Sequence, residues 1–249
     1  MPTLRCLVAA LALAGASSAA QALVLIDDFT SGDSTLVNAG LFETTGVQAG
    51  SMLGGARFEG LLCYFACDYH PPYHATLTVG GGVLQVTPPP EGLATTRLLW
   101  GDVSLGNSAF PFAPLALDLS GHQAFELQFG AVSADLLVQF VVVSEAGQSV
   151  YAPVVNNPGV VLHAGAAQTL TLPFASFVGV ADFAHVQGLA VVLGGNNGYG
   201  TEAAMASFAL DSVVVTAVPE PGTWALGLAG LAVLSLGQRG RRRLALAPA

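Results

Sequence analysis

The sequence predicts an all-β protein folded as a two-sheet sandwich. Three observations point there. Apolar residues come in short alternating or clustered runs, and outside the two chain ends no segment sustains a 3.6-residue apolar period. Those runs are bounded by Gly, Pro, Asn and Asp, which punctuate strands rather than helices. Finally, 53% of the chain is hydrophobic, only 9% is charged, and there are 30 glycines. That composition excludes disorder, which needs low hydrophobicity.

The chain opens MPTLRCLVAALALAGASSAAQA. One basic residue, Arg5, precedes an apolar core from Cys6 to Ala14, and small residues follow. Ala20-Gln21-Ala22 fits the small-x-small pattern of a signal-peptidase site. Residues 1–22 therefore read as a secretory signal peptide, helical while in the membrane, with the cut before Leu23.

Ten candidate strands follow. They are LVLIDDF (23–29), ATLTV (75–79), VLQVT (83–87), TTRLLW (95–100), AFELQFGAV (124–132), LLVQFVVVS (136–144), SVYAPVV (149–155), TLTLP (169–173), GLAVVLG (188–194) and SFALDSVVVT (207–216). Turn signals separate them, such as Gly80-Gly81-Gly82, Glu145-Ala146-Gly147 and Asn156-Asn157-Pro158-Gly159. Phe125, Leu127 and Phe129 alternate with Glu126 and Gln128, so one face of that strand is apolar. In the last strand Phe208, Leu210 and Val213 point inward only if the register breaks near Asp211, which suits a β-bulge. A short helical turn is expected after TLTLP. Residues 23–218 are enough for one domain with a full core.

The stretch LLCYFACDYHPPYHA carries Cys63, Cys67, His70 and His74. In an exported chain Cys6 leaves with the signal, and the remaining two cysteines are consistent with one disulfide. Three intervening residues must then turn back to bring the Cα atoms within about 7 Å. The same residue types could ligate zinc, but finger-type sites separate the Cys and His pairs by about a dozen residues. Free thiols or pairing with a partner chain are the other readings. Tyr64, Tyr69 and Tyr73 are read as part of this loop, where they are the candidates for stacking on sugar rings. Trp100, at a strand end, reads as core or rim.

Charge narrows the partners. There is no lysine, and residues 23–218 hold two arginines, Arg57 and Arg97, against fifteen acidic residues, a formal −13. Such a surface does not bind nucleic acid, which demands cations against phosphate. It suits solubility or divalent cations. The sequence has no G-x-S-x-G, no H-E-x-x-H and no phosphate loop, so no catalytic residues are assigned.

Together IDDF, DLSGHQAFELQF, TLTLPFASF and FALDSVVVT resemble, in style and order, the jelly-roll sandwiches of carbohydrate-binding modules. The resemblance spans roughly residues 24–216. It implies a jelly-roll fold and a structural calcium ion held by Asp27, Asp28 and Asp211, while sugar binding does not follow from the sandwich alone and needs exposed aromatic rings beside polar groups. Calcium takes 6–8 oxygen ligands, and carboxylates from the first and last strands would pin the chain ends together. Asp28 as a turn residue and Asp211 as a solvated strand residue are the alternatives.

The chain ends VPEPGTWALGLAGLAVLSLGQRGRRRLALAPA. Pro219 and Pro221 cannot join a helix interior or a central ladder. Thr223–Gly237 is apolar and 15 residues long. As a helix it reaches about 22 Å, short of the roughly 30 Å hydrocarbon core. Pro219-Glu220-Pro221, the apolar helix, and Arg239, Arg241, Arg242 and Arg243 resemble, in that order, the PEP-CTERM sorting signal of Gram-negative bacteria. The resemblance implies a membrane-embedded exosortase that processes the chain near Pro-Glu-Pro, with the arginines held on the cytoplasmic side. It also implies an association with exopolysaccharide and biofilm.

The expected organisation is thus a signal peptide (1–22), a sandwich (23–218) and a sorting signal (219–249). The expected function is an exported, non-enzymatic protein of the envelope or extracellular matrix, structural or polysaccharide-binding. Its rival is a secreted enzyme acting on polysaccharide.

Overall fold

In the computed structural model every named strand pairing is antiparallel. It describes residues 23–40, 43–65, 67, 73–90, 92–105, 108–109, 112–151, 159–194 and 206–217. The helices expected at the two chain ends lie outside these residues.

In chain order the strands are β1 (Val24–Asp27), β2 (Ser34–Asn38), β3 (Thr44–Ala49), β4 (Ala56–Phe65), β5 (Ala75–Gly80), β6 (Val83–Thr87), β7 (Leu93–Gly101), β8 (Ser104–Leu105) and β9 (Ser108–Ala109). They continue with β10 (His122–Val132), β11 (Leu136–Ser144), β12 (Gly147–Tyr151), β13 (Val160–Leu162), β14 (Gln168–Pro173), β15 (Phe177–Gly179), β16 (Val186–Leu193) and β17 (Phe208–Ala217). One sheet runs β14-β10-β17-β6-β5-β2, with β1 also on β17. The other runs β15-β12-β11-β16-β7-β4-β3, with β13 on β11. Strands β8 and β9 form a separate two-stranded ribbon. The chain crosses repeatedly from one sheet to the other, as in a jelly roll, so each sheet mixes early and late strands.

The core lies between the sheets. Phe125 of β10 stacks on Phe140 of β11, centroids 4.1 Å apart, which ties the middle of one sheet to the middle of the other. Phe125, Leu127 and Phe129 are buried, while Glu126 is half-buried and Gln128 exposed, as the alternation predicts. The register break at Asp211 is a bulge: Gln128 pairs Ser212 but Phe129 pairs Leu210, leaving Asp211 as the extra residue. Phe208, Leu210 and Val213 consequently all point inward. The turn expected after TLTLP is a 3-10 turn at Phe174–Ser176.

The largest departure from the sequence expectation is β4. ARFEGLLCYF is not among the ten expected strands, and its Cys63 and Tyr64 are expected in a loop, yet it is a ten-residue strand in the second sheet. Its inward positions are Arg57, Glu59, Leu61 and Cys63, all buried. Two charges on the core face break the apolar alternation that identifies a half-buried strand. Cys63 and Tyr64 accordingly belong to a strand and not to a loop. β2 and β3, both at sheet edges, were also unforeseen. β1 is shorter than expected because Phe29 turns into the left-handed region at φ 54°.

Candidate functional site

The chain entry is built around one buried cation. Arg57 reaches from β4, in the second sheet, toward β1 and β2, in the first. Its Nη1 donates to Asp27 Oδ2 at 2.7 Å, and its Nε donates to Glu59 Oε1 at 2.9 Å. Nη2 donates to Glu59 Oε1 at 2.7 Å and to the Gly32 carbonyl at 3.1 Å. The guanidinium lies 5.1 Å over the Phe29 ring. Asp27 Oδ2 also accepts the Trp100 indole N–H at 3.0 Å, and Asp27 Oδ1 accepts the Phe29 amide at 2.9 Å. Glu59 Oε2 accepts the Ser34 hydroxyl at 2.6 Å. Arg57, Asp27, Glu59 and Trp100 are all buried. Burying charges costs several kcal/mol per ion, and the arrangement is tolerable because donors and acceptors are paired throughout it. The planar guanidinium fork is what lets one residue serve two carboxylates and a carbonyl.

This cluster occupies the place where the sequence suggested calcium. The positive charge facing Asp27 is the guanidinium of Arg57. Asp28 is committed elsewhere, its Oδ1 accepting the Thr30 hydroxyl at 2.6 Å and the Thr30 amide at 3.1 Å. The Thr30 hydroxyl is the main reason its carboxyl is held below the usual value of 3.8. Asp211 sits at the β17 bulge, beside Gly130 of β10. Among the described residues no three His, Cys, Asp or Glu side chains converge where an ion could be held. Asp27, Asp28 and Asp211 therefore do not fit a calcium ion in this arrangement.

The structure joins Cys63 and Cys67 in a disulfide with Cα atoms 6.2 Å apart, inside the usual span of about 4.4–6.8 Å. Cys63 is buried on the inner face of β4 and Cys67 packs against the core, so the bridge fastens the segment after β4 to the sandwich. Of the three tyrosines, Tyr73 is 48% exposed, just ahead of β5. Tyr69, like His70, lies outside the described residues. Trp100 is a core residue, and Tyr151 is buried against Phe177 with centroids 5.4 Å apart.

The second sheet also carries an apolar rung on its outer face. Register partners Val47, Phe58, Leu99, Ala190, Val141, Val150 and Val178 run from β3 to β15 across the whole sheet. Its centre is buried, with Val103 in the same cluster and Phe112 packed on it, while Val47 and Val178 at the two edges are exposed. The adjacent rung is Thr45, Gly60, Arg97, Val192 and Gln139. There Arg97 faces Glu43 at 3.7 Å, both partly exposed. Sequence reasoning found Arg57 and Arg97 by counting cations, but it missed Glu59, Phe58 and Leu99. Only the strand assignment of β4 reveals which faces they share.

Comparison with known proteins adds the following. Residues 217–243 match the PEP-CTERM protein-sorting motif. No curated protein matches the chain. Among solved structures the chain is similar to the family 11 carbohydrate-binding module of the cellulosomal cellulase Lic26A-Cel5E of Clostridium thermocellum, at 12% identity and TM-score 0.38, over 79% of this chain and 95% of that one. It is likewise similar to the family 11 module from Clostridium thermocellum in complex with a β-1,3-1,4-mixed-linked tetrasaccharide, at 14% identity and TM-score 0.39, over 79% and 96%. The solution structure of CtCBM11 stands at 14% identity and TM-score 0.40, over 82% and 99%. The chain thus carries, from the last residue of β17 onward, a PEP-CTERM protein-sorting motif, which marks it for export and sorting to the cell envelope.

Proposed function

We propose that this is an exported, non-catalytic β-sandwich protein, delivered through its tail to the envelope or released into the extracellular matrix, where it contacts polysaccharide. The observation that carries the proposal is the sorting motif at 217–243, which begins where the folded ladder ends. Signal peptidase removes residues 1–22, the apolar stretch Thr223–Gly237 pauses in the bilayer, and an exosortase processes the chain near Pro219-Glu220-Pro221. The arginines Arg239 and Arg241–Arg243 hold the cytoplasmic side during that step. The proposal extends to a part in exopolysaccharide or biofilm.

Two features support binding over catalysis. The two buried acids among the described residues, Asp27 and Glu59, are both committed to Arg57, so neither is free to act as an acid or base. Tyr73, exposed just ahead of β5, offers a ring for stacking on sugar, the role the sequence also suggests for Tyr64 and Tyr69. The competing reading, a polysaccharide hydrolase, requires two carboxylates about 5–10 Å apart across a cleft. A glycan array probed with residues 23–217 separates the two. Retention of an intact glycan that weakens in Tyr73→Ala supports binding. Release of shortened sugar supports hydrolysis.

A further inference from the structure

The two processing points of the chain emerge side by side. β1 pairs antiparallel with β17, Val24 opposite Val215 and Leu25 opposite Val214. Leu23, the first residue after the expected signal-peptidase cut, is therefore one residue from a ladder pair that lies two residues short of the end of β17. At the same end, Ala217 pairs His122 of β10. Only Val218 separates Ala217 from Pro219.

β17 cannot lengthen this connection by peeling away cheaply. Along one edge it is paired with β10 from Phe208 to Ala217. Along the other, β6 takes Phe208–Leu210 and β1 takes Val213–Val215, end to end. The side chains of Val213 and Val215 are buried in the core. From Ala217 to Thr223, where the apolar stretch begins, the chain advances six residues, which reach at most about 20 Å.

We infer that, in the precursor before its tail is cut, the end of the sandwich formed by the start of β1, the start of β10 and the finish of β17 faces the bilayer surface. The inference rests on the sorting function proposed above. A tether this short, leaving a strand held on both edges, keeps that end within about 20 Å of the apolar boundary. The other end of β17, at Phe208, stands about 30 Å farther away. A precursor still carrying its signal peptide is held at the same end by both termini, so the cuts by signal peptidase and exosortase fall on one membrane-facing edge.

The test uses the full chain, expressed without an exosortase so that the tail is retained, and reconstituted in vesicles with quencher-bearing headgroups. Cys6→Ser removes the signal thiol, and the Cys63–Cys67 disulfide does not react without reductant. A fluorophore is attached at Gln123→Cys, an exposed position at the start of β10, or at Thr87→Cys, an exposed position beyond the Phe208 end of β17. Several-fold stronger quenching at Gln123→Cys is expected. Equal quenching at the two positions, or stronger quenching at Thr87→Cys, overturns the inference while leaving sorting intact. Release of the protein from the vesicles by alkaline carbonate overturns the sorting proposal itself, and the inference with it.

Discussion

Arg57 of β4 donates to Asp27 of β1 at 2.7 Å, joining the two sheets across thirty residues of sequence. The same arginine holds Glu59, and Asp27 in turn holds the Trp100 indole. One guanidinium thus fixes where the exported chain enters the fold.

Removing that cation strands two buried carboxylates. Arg57→Met should cost about 3–5 kcal/mol, a melting-point loss on the order of 10 °C for a domain of this size. Arg57→Lys should recover only part of it, because an ammonium cannot fork between Asp27, Glu59 and the Gly32 carbonyl. Thermal melts of residues 23–217 check both, and an Arg57→Met variant as stable as the parent contradicts the role assigned to the cluster.

Calcium should not shift the melt. Asp27 already has its cation in Arg57, and Asp28 is bonded to Thr30. Melting curves in calcium and in chelator are expected to superimpose. A calcium-dependent rise that Asp211→Asn abolishes would restore the ion to the first and last strands.

Cys63 and Cys67 should be bonded to each other in the exported protein. Alkylation without reductant should label neither sulfur, and reduction should expose both. Labelling of both thiols in the unreduced protein rules the bond out.

His185 hydrogen-bonds Asp182 at 2.6 Å on the surface. That bond, and then the charge of Asp182, raise the imidazole above its ordinary 6.5, while the same bond lowers Asp182 below 3.8. The histidine is raised, so the stabilisation from its protonated form is full below about pH 6.5 and fades as pH rises through its folded value. The aspartate is lowered, so its contribution is full above about pH 3.8 and fades as pH falls through its own folded value. The pair is therefore strongest between those limits. An NMR titration of His185 should give a midpoint above 6.5, returning toward 6.5 in Asp182→Asn.

How much of this could be read from the chain follows from where charge sits. Where a long strand keeps an apolar core face, as at Phe125-Leu127-Phe129 or Leu136–Ser144, alternation and turn residues located the strand to within a few residues. Even the Asp211 bulge was legible, because a single polar residue disturbs an otherwise regular apolar period. β4 was not, because Arg57 and Glu59 occupy core positions that the pattern reserves for apolar side chains. That one omission hid the site as well. Without β4, Asp27 had no visible partner, and an ion was the natural substitute. The sorting tail was legible at once, because its recognition depends on linear order and not on folding.

The most direct measurement is the mass of the surface or secreted protein from a host that possesses an exosortase. The predicted C-terminus lies upstream of Trp224, with the apolar stretch and Arg239–Arg243 gone. An intact Arg241–Ala249 end on the surface protein would contradict delivery by the tail.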